Sequence, residues 1–282
     1  MKKKTLGRAP AYLFLIIIFV ITVYPLVYTI CASFKTNHEI MTANSQLLPK
    51  QFTFENYSIA WHSEDFYVPV LLKNSIIYSV CVVLFQLASA AMGGYVFAKG
   101  HFSGKKIVFA IMTALMFVNL GGATTVPVLK IVNALHLGGT IWGLLITKMF
   151  GINITGIYLI MGYIQTLPKE LDEAATIDGC GFFKVFTAIT LPLLQPVLIT
   201  IGILAFQGSW NETLMPTIFT MSRPEQRTLT AGLYALKNVG ESASQWNLMM
   251  AGSVISMLPV LVVYMFANKH FVTGIASGAV KG

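Results

Sequence analysis

Residues 170–179 read ELDEAATIDG and lie between two long apolar runs. Four of the ten side chains, Glu170, Asp172, Glu173 and Asp178, are acidic, and Ala174, Ala175 and Gly179 are small. Charged side chains in hydrocarbon cost several kcal/mol each, so this segment cannot cross a bilayer. A plain connector between spans does not need this composition either. Its flanks decide what kind of molecule it belongs to.

Those flanks have the composition of membrane helices. The 282 residues are 55% hydrophobic and 11% charged, with a mean hydropathy of +0.70. A soluble domain carries roughly a quarter charged residues. About 20 apolar residues of helix cross a hydrocarbon core. Six stretches are long enough: Pro10–Ser33, Ile76–Ala98, Ile107–Leu129, Ile141–Ile164, Val185–Gln207 and Leu248–Asn268. In lipid only helices or closed barrels satisfy the backbone, and these runs are continuous rather than alternating. The expected fold class is an all-α membrane protein with six transmembrane helices.

Lys2, Lys3 and Lys4 precede the first run, as in a signal peptide. Its apolar stretch exceeds the roughly 7–15 residues of such a region, and no clean small-x-small cleavage site follows. Ile30 before Cys31 is too large for lipoprotein cleavage. A retained anchor is expected. A long loop separates it from the second span, which suggests a peripheral helix beside a five-helix core. Three regions follow: an N-terminal anchor with an extracytoplasmic loop (1–69), a transmembrane core holding the loop 165–184 (70–270), and a C-terminal tail (271–282).

Orientation is read from Lys and Arg. With the N-terminus in the cytoplasm, the short inner segments hold eleven of these residues and the longer outer segments seven. Both termini and the 165–184 loop are therefore expected inside a multi-pass cell-membrane protein. The net charge of +8 then needs no nucleic acid, because flanking lysines contact anionic lipid. Cys31, Cys81 and Cys180 have neither zinc nor redox spacing, so no disulfide and no metal are expected. His38, His62, His101, His136 and His270 fall in loops or at interfaces, without triad spacing.

The inner loop, TLPKELDEAATIDG, reads as a helix with both ends marked. Pro168 suits a first turn, the acids near it complement the helix dipole, and Gly179 can supply a left-handed stop. A twelve-residue helix would be about 18 Å long and lie at the membrane surface. Asp178 sits at the wrong end of the dipole and needs a partner. Ala174 and Ala175 allow close approach, and Glu173 offers a charge-assisted hydrogen bond. That composition fits a docking surface; it also fits a solvated amphipathic turn.

The spacing resembles a known signature. Glu173-Ala174-Ala175, three residues, Gly179, nine residues, then Ile189-x-Leu191-Pro192 is similar to the EAA loop of binding-protein-dependent ABC importer permeases. The stretches LPKELDEAATIDG and LPLLQPVLITIGILAFQGSWNETLMP and the tail GIASGAVKG look like the maltose-type carbohydrate importers, and most like the second, shorter permease of the pair. Cys180 stands where an alanine is common, and Gly162 where many relatives carry a basic residue.

The resemblance implies a type I ABC importer transmembrane domain. The loop would be its cytoplasmic coupling helix, with Glu173, Ala174, Ala175, Asp178 and Gly179 docking on an ATPase subunit and Lys281 and Gly282 reaching between two such subunits. It implies a heterodimer with a second permease, two ATPase subunits and an extracytoplasmic solute-binding protein. This chain has no G-x-x-x-x-G-K-[ST] loop. It is therefore expected to bind no cofactor and not to be an enzyme, with ATP-Mg held by the partner ATPase.

Polar residues near the spans are candidates for the solute path. Lys148 lies mid-span, where a lysine must face the bundle interior, water or a partner. It can bind substrate hydroxyls or an acidic sugar, or pair structurally. Asn153, Asn119 and Gln86 read first as interhelical hydrogen bonds, with Asn153 also a path candidate. In SWNETLMP, Trp210 could stack on a sugar while Asn211 and Glu212 accept hydroxyls; an interfacial tryptophan and a helix cap read the same way. A secondary transporter driven by ions is the alternative, but no Asp or Glu falls inside a predicted span. A membrane enzyme or sensor would need convergent catalytic groups or a soluble domain.

Overall fold

In the computed structural model, which describes residues 9–42, 46–63, 66–118, 121–237 and 245–279, every regular element is helical. The first four α-helices are α1 (Ala9–Ala32), α2 (Asn37–Met41), α3 (Glu55–His62) and α4 (Val68–Lys99). Then come α5 (Lys105–Phe117), α6 (Thr125–Ala134), α7 (Ile141–Met149), α8 (Ile154–Ile164) and α9 (Glu170–Ile177). The last five are α10 (Phe182–Leu193), α11 (Gln195–Trp210), α12 (Leu214–Phe219), α13 (Leu229–Lys237) and α14 (Trp246–Ala279).

Among the described residues, α1, α4 and α14 are long and apolar enough to cross a bilayer unbroken, and two bent pairs bring the number to five. The predicted span Ile141–Ile164 is the pair α7 and α8, bent by 42°. Gly151 lies in the break, and Asn153 starts the new helix by accepting the Gly156 N–H at 2.8 Å. The span predicted over Val185–Gln207 is α10 and α11, bent by 75°. Pro192 and Pro196 lack N–H groups there, and α10 widens into a π turn over Phe186–Thr190.

The expected third span, Ile107–Leu129, is divided. Helix α5 has 13 residues, about 20 Å, and the chain resumes as a 3-10 turn at Gly121–Thr124 before α6. Pro127 fits the first turn of α6 and would interrupt any helix running through it. The last candidate span, Trp246–Ala267, ends within one residue of the expected Asn268, and its helix continues to Ala279. Asn119, Lys281 and Gly282 lie outside the described residues.

Helix α4 is the central element and packs against α7, α8, α11 and α13. Gly93 and Gly94 set its closest approach. A Cβ on Gly94 would lie 2.5 Å from the Ile160 Cβ, and one on Gly93 would lie 2.7 Å from the Ile157 Cδ1. Small residues let membrane helices approach this way, so that van der Waals contact replaces the missing hydrophobic drive. Ala90, Ala91, Tyr95, Ile160, Ile164 and Leu194 form the core at this crossing. Helix α1 rests on α14, and its most apolar window has no buried residue.

The segments that lead into α4 and α14 are pinned by asparagines. Asn56 donates to the carbonyls of Ser33 and Lys35 at 2.8 Å each and accepts from Asn247 at 2.7 Å, joining the ends of α1, α3 and α14. Asn74 donates to the carbonyls of Glu225 and Arg227, and Ser75 Oγ takes the Leu229 N–H at 2.7 Å. These bonds hold residues 225–229 against α4.

Candidate functional site

Two regions concentrate polar chemistry: a cavity among the long helices and the short helix α9.

The cavity, of about 470 Å³, lies between α4, α7, α8 and α11. That is within the range of roughly 300–1,000 Å³ common for small-molecule sites. Its polar lining comes from Gln86, Lys148, Asn153, Thr155, Ser209 and Glu212, and its apolar lining includes Leu159, Ile201 and Leu204. Lys148 occupies the last turn of α7, beside the break before α8, rather than the middle of a continuous span. Its Nζ donates to Glu212 Oε1 at 2.7 Å. Tyr78, on α4, donates its hydroxyl to Glu212 Oε2 at 2.5 Å. The Glu212 carbonyl accepts from Thr230 Oγ1 at 3.1 Å. Three separate segments thus converge on Glu212, two of them on its carboxylate.

Three of the five predicted path residues, Lys148, Asn153 and Glu212, line this cavity. Asn153 both caps α8 and donates to Gln86 Oε1 at 3.1 Å, tying α8 to α4. Trp210 is elsewhere. It is 2% exposed, its indole N–H points to the Ser256 carbonyl at 3.1 Å, and its ring stacks on Phe206. An indole enclosed between α11 and α14 has no free face for a sugar, which corrects the stacking expectation. Asn211 is also outside the lining; it ends α11 and donates to the Gln207 carbonyl at 3.0 Å. Tyr78 is the residue that sequence reading missed. A tyrosine in an apolar run looks like core, and only its partner 134 positions away gives it a role.

Helix α9 spans eight residues rather than twelve, because Pro168 precedes it and Lys169 takes the N-cap position. Its stop is a Schellman motif. Gly179 has φ 73°, its N–H donates to the Thr176 carbonyl at 3.0 Å, and Cys180 N–H donates to the Ala175 carbonyl at 2.9 Å. Asp172 pairs with Lys99 at the end of α4. Tyr95, one turn earlier on α4, donates to the Phe182 carbonyl at 3.0 Å and packs its ring on Phe182 and Phe186.

The docking candidates divide between the two faces of α9. Ala175 is 4% exposed and turns toward the bundle, so it lets α9 lie close rather than meeting another protein. Glu173, Ala174, Asp178 and Gly179 are exposed, and Ile177 beside them is 86% exposed. The Asp178 carboxylate has no ion pair or side-chain hydrogen bond among the described residues.

Comparison with known proteins converges on one family. Residues 90–277 match the family described as binding-protein-dependent transport system inner membrane component. The chain is 31% identical over 281 residues to the inner membrane ABC transporter permease protein YcjP of Escherichia coli, covering 99% of each. It is 28% identical to the diacetylchitobiose uptake system permease protein DasC of Streptomyces coelicolor, covering all of both chains. Its fold matches a chain of a bacterial ABC transporter involved in the import of the acidic polysaccharide alginate, with TM-score 0.79 and 24% identity over 96% of this chain and 98% of that one.

Proposed function

The chain belongs to the family of binding-protein-dependent inner membrane transport components, a membrane permease of the ABC importer class, and from that premise we propose that it forms half of a sugar-translocating path. The other half would be a second permease. Two ATPase subunits would hold the ATP-Mg, and an extracytoplasmic binding protein would deliver the solute. The sugar assignment draws support from a relative named for diacetylchitobiose uptake and from the hydroxyl-compatible lining of the cavity. Both termini and α9 would face the cytoplasm, in line with the asymmetry of Lys and Arg.

The observation that carries the coupling role is the two-faced mounting of α9. One face is fastened to α4 through Asp172–Lys99 and buried Ala175. The opposite face leaves Glu173, Ala174, Ile177 and Asp178 open. A protein seated on that face can push on α4, which also holds the cavity through Tyr78. ATP shifts the gate only if the docked ATPase binds its two states unequally. Lys281 and Gly282 would add a second contact.

The test is the assembled complex carrying Glu173→Ala. Solute-stimulated ATPase activity and uptake should fall together, with this chain still expressed and inserted. Unchanged coupling would remove α9 from the docking role.

A further inference from the structure

We infer that the solute passing this cavity is uncharged and hydroxyl-rich, and that Lys148 has Glu212, rather than the solute, as its counter-ion; this rests on the sugar-path reading above.

Among the described lining residues, Lys148 and Glu212 are the charged ones, and they hold each other at 2.7 Å. The carboxylate is fixed on its other oxygen by Tyr78 at 2.5 Å. Both oxygens and the Glu212 backbone carbonyl are engaged, by three different segments. This is a built counter-ion rather than a surface contact of two mobile side chains. The pair still reaches the cavity, with side-chain exposures of 30% and 19%.

A solute carboxylate approaching Lys148 would come within a few ångströms of Glu212. Two like charges then compete for one cation in a partly desolvated site, which disfavours the second anion. A hydroxyl meets no such penalty. The ammonium carries three N–H donors, of which one is directed at Glu212. Gln86, Asn153 and Thr155 add neutral donors and acceptors. Hydroxyls, which donate and accept, suit that mixture, while Leu159, Ile201 and Leu204 can cover the apolar face of a sugar ring. The charge pair therefore acts as a specificity device: it keeps a lysine in the path for hydroxyl contact while cancelling its pull on acidic sugars.

The experiment uses the whole complex in proteoliposomes. ATP-dependent uptake is measured for neutral oligosaccharides (malto-, cello- and chito-series) and for oligogalacturonates and oligomannuronates of equal length. A neutral member should be taken up at least about tenfold faster than any uronate. Glu212→Gln, which leaves Lys148 without its counter-ion, should shrink that ratio about fivefold or more, and adding Lys148→Met to it should restore most of the ratio. Wild-type preference for uronates overturns the inference while leaving the importer reading in place. So does a ratio that Glu212→Gln does not move. Absence of ATP-dependent uptake for every saccharide overturns the sugar-path reading itself, and the inference with it.

Discussion

Lys99 and Asp172 form an ion pair that joins the last turn of α4 to the first turn of α9. Because α4 is one unbroken helix from Val68 to Lys99, the same rod holds α9 at one end and, through Tyr78, the Glu212–Lys148 pair toward the other. From residue 78 to residue 99 the helix is about 31 Å long. Helix α9 and the cavity are thereby joined by a rigid element rather than by a loop.

Breaking this link should uncouple without unfolding. Both side chains are partly exposed, and exposed ion pairs contribute about 0–1 kcal/mol. Lys99→Met or Asp172→Asn should leave the melting temperature of the purified complex nearly unchanged while lowering solute-stimulated ATPase activity. The reversed pair, Lys99→Asp with Asp172→Lys, should recover part of it. Equal activity in all four proteins would show that α9 is held by its packing alone.

The α4–α8 crossing should tolerate no added bulk. A side chain on Gly94 meets Ile160 directly, and overpacking a tight core costs about 1–3 kcal/mol. Gly94→Val should lower the thermal stability of the complex in detergent, and Ile160→Ala in the same chain should return some of the loss by opening space. A Gly94→Val protein that melts like the wild type would contradict the close approach.

The stop of α9 depends on backbone conformation. At φ 73° an alanine is strained by about 1–2 kcal/mol, so Gly179→Ala should weaken the Schellman turn and reduce coupling. Gly181→Ala is the control, since Gly181 has φ −73° and open space around it. Limited proteolysis between residues 177 and 183 should quicken in the first variant and not in the second.

Tyr78→Phe keeps the buried ring and removes one hydroxyl. Hydrogen bonds to charged groups are worth about 1.5–3 kcal/mol, and the Glu212 oxygen would lose its donor inside the bundle. The variant should be less stable than wild type by about that amount in chemical unfolding. Tyr163→Phe should be nearly neutral, since that hydroxyl makes no hydrogen bond among the described residues. A neutral Tyr78→Phe would mean that water can replace the phenol.

Much of the architecture follows from local chemistry. Continuous apolar runs demand helices in lipid, which placed α1, α4 and α14, and Gly179 after an acidic octet marked the end of α9. Breaks were harder to read. Pro127, Gly151 and Pro192 lie in runs whose hydropathy is high enough to span, and hydropathy averages over a window and does not register a missing N–H. The candidate path residues show the same division. Lys148 and Glu212 stood out because charges near hydrocarbon need a reason. Trp210 stayed open because an aromatic at a span end suits an interface, a sugar or a core equally well.

Composition was enough to settle that this chain lives in a membrane and presents one acidic helix outside it, since transfer free energies belong to residues one at a time. Which partner each polar group finds could come only from the folded chain. Tyr78 reaches Glu212 across 134 positions and Lys99 reaches Asp172 across 73. Such pairings are set by how bent helices cross α4, a geometry to which every packed side chain contributes and which no local stretch encodes.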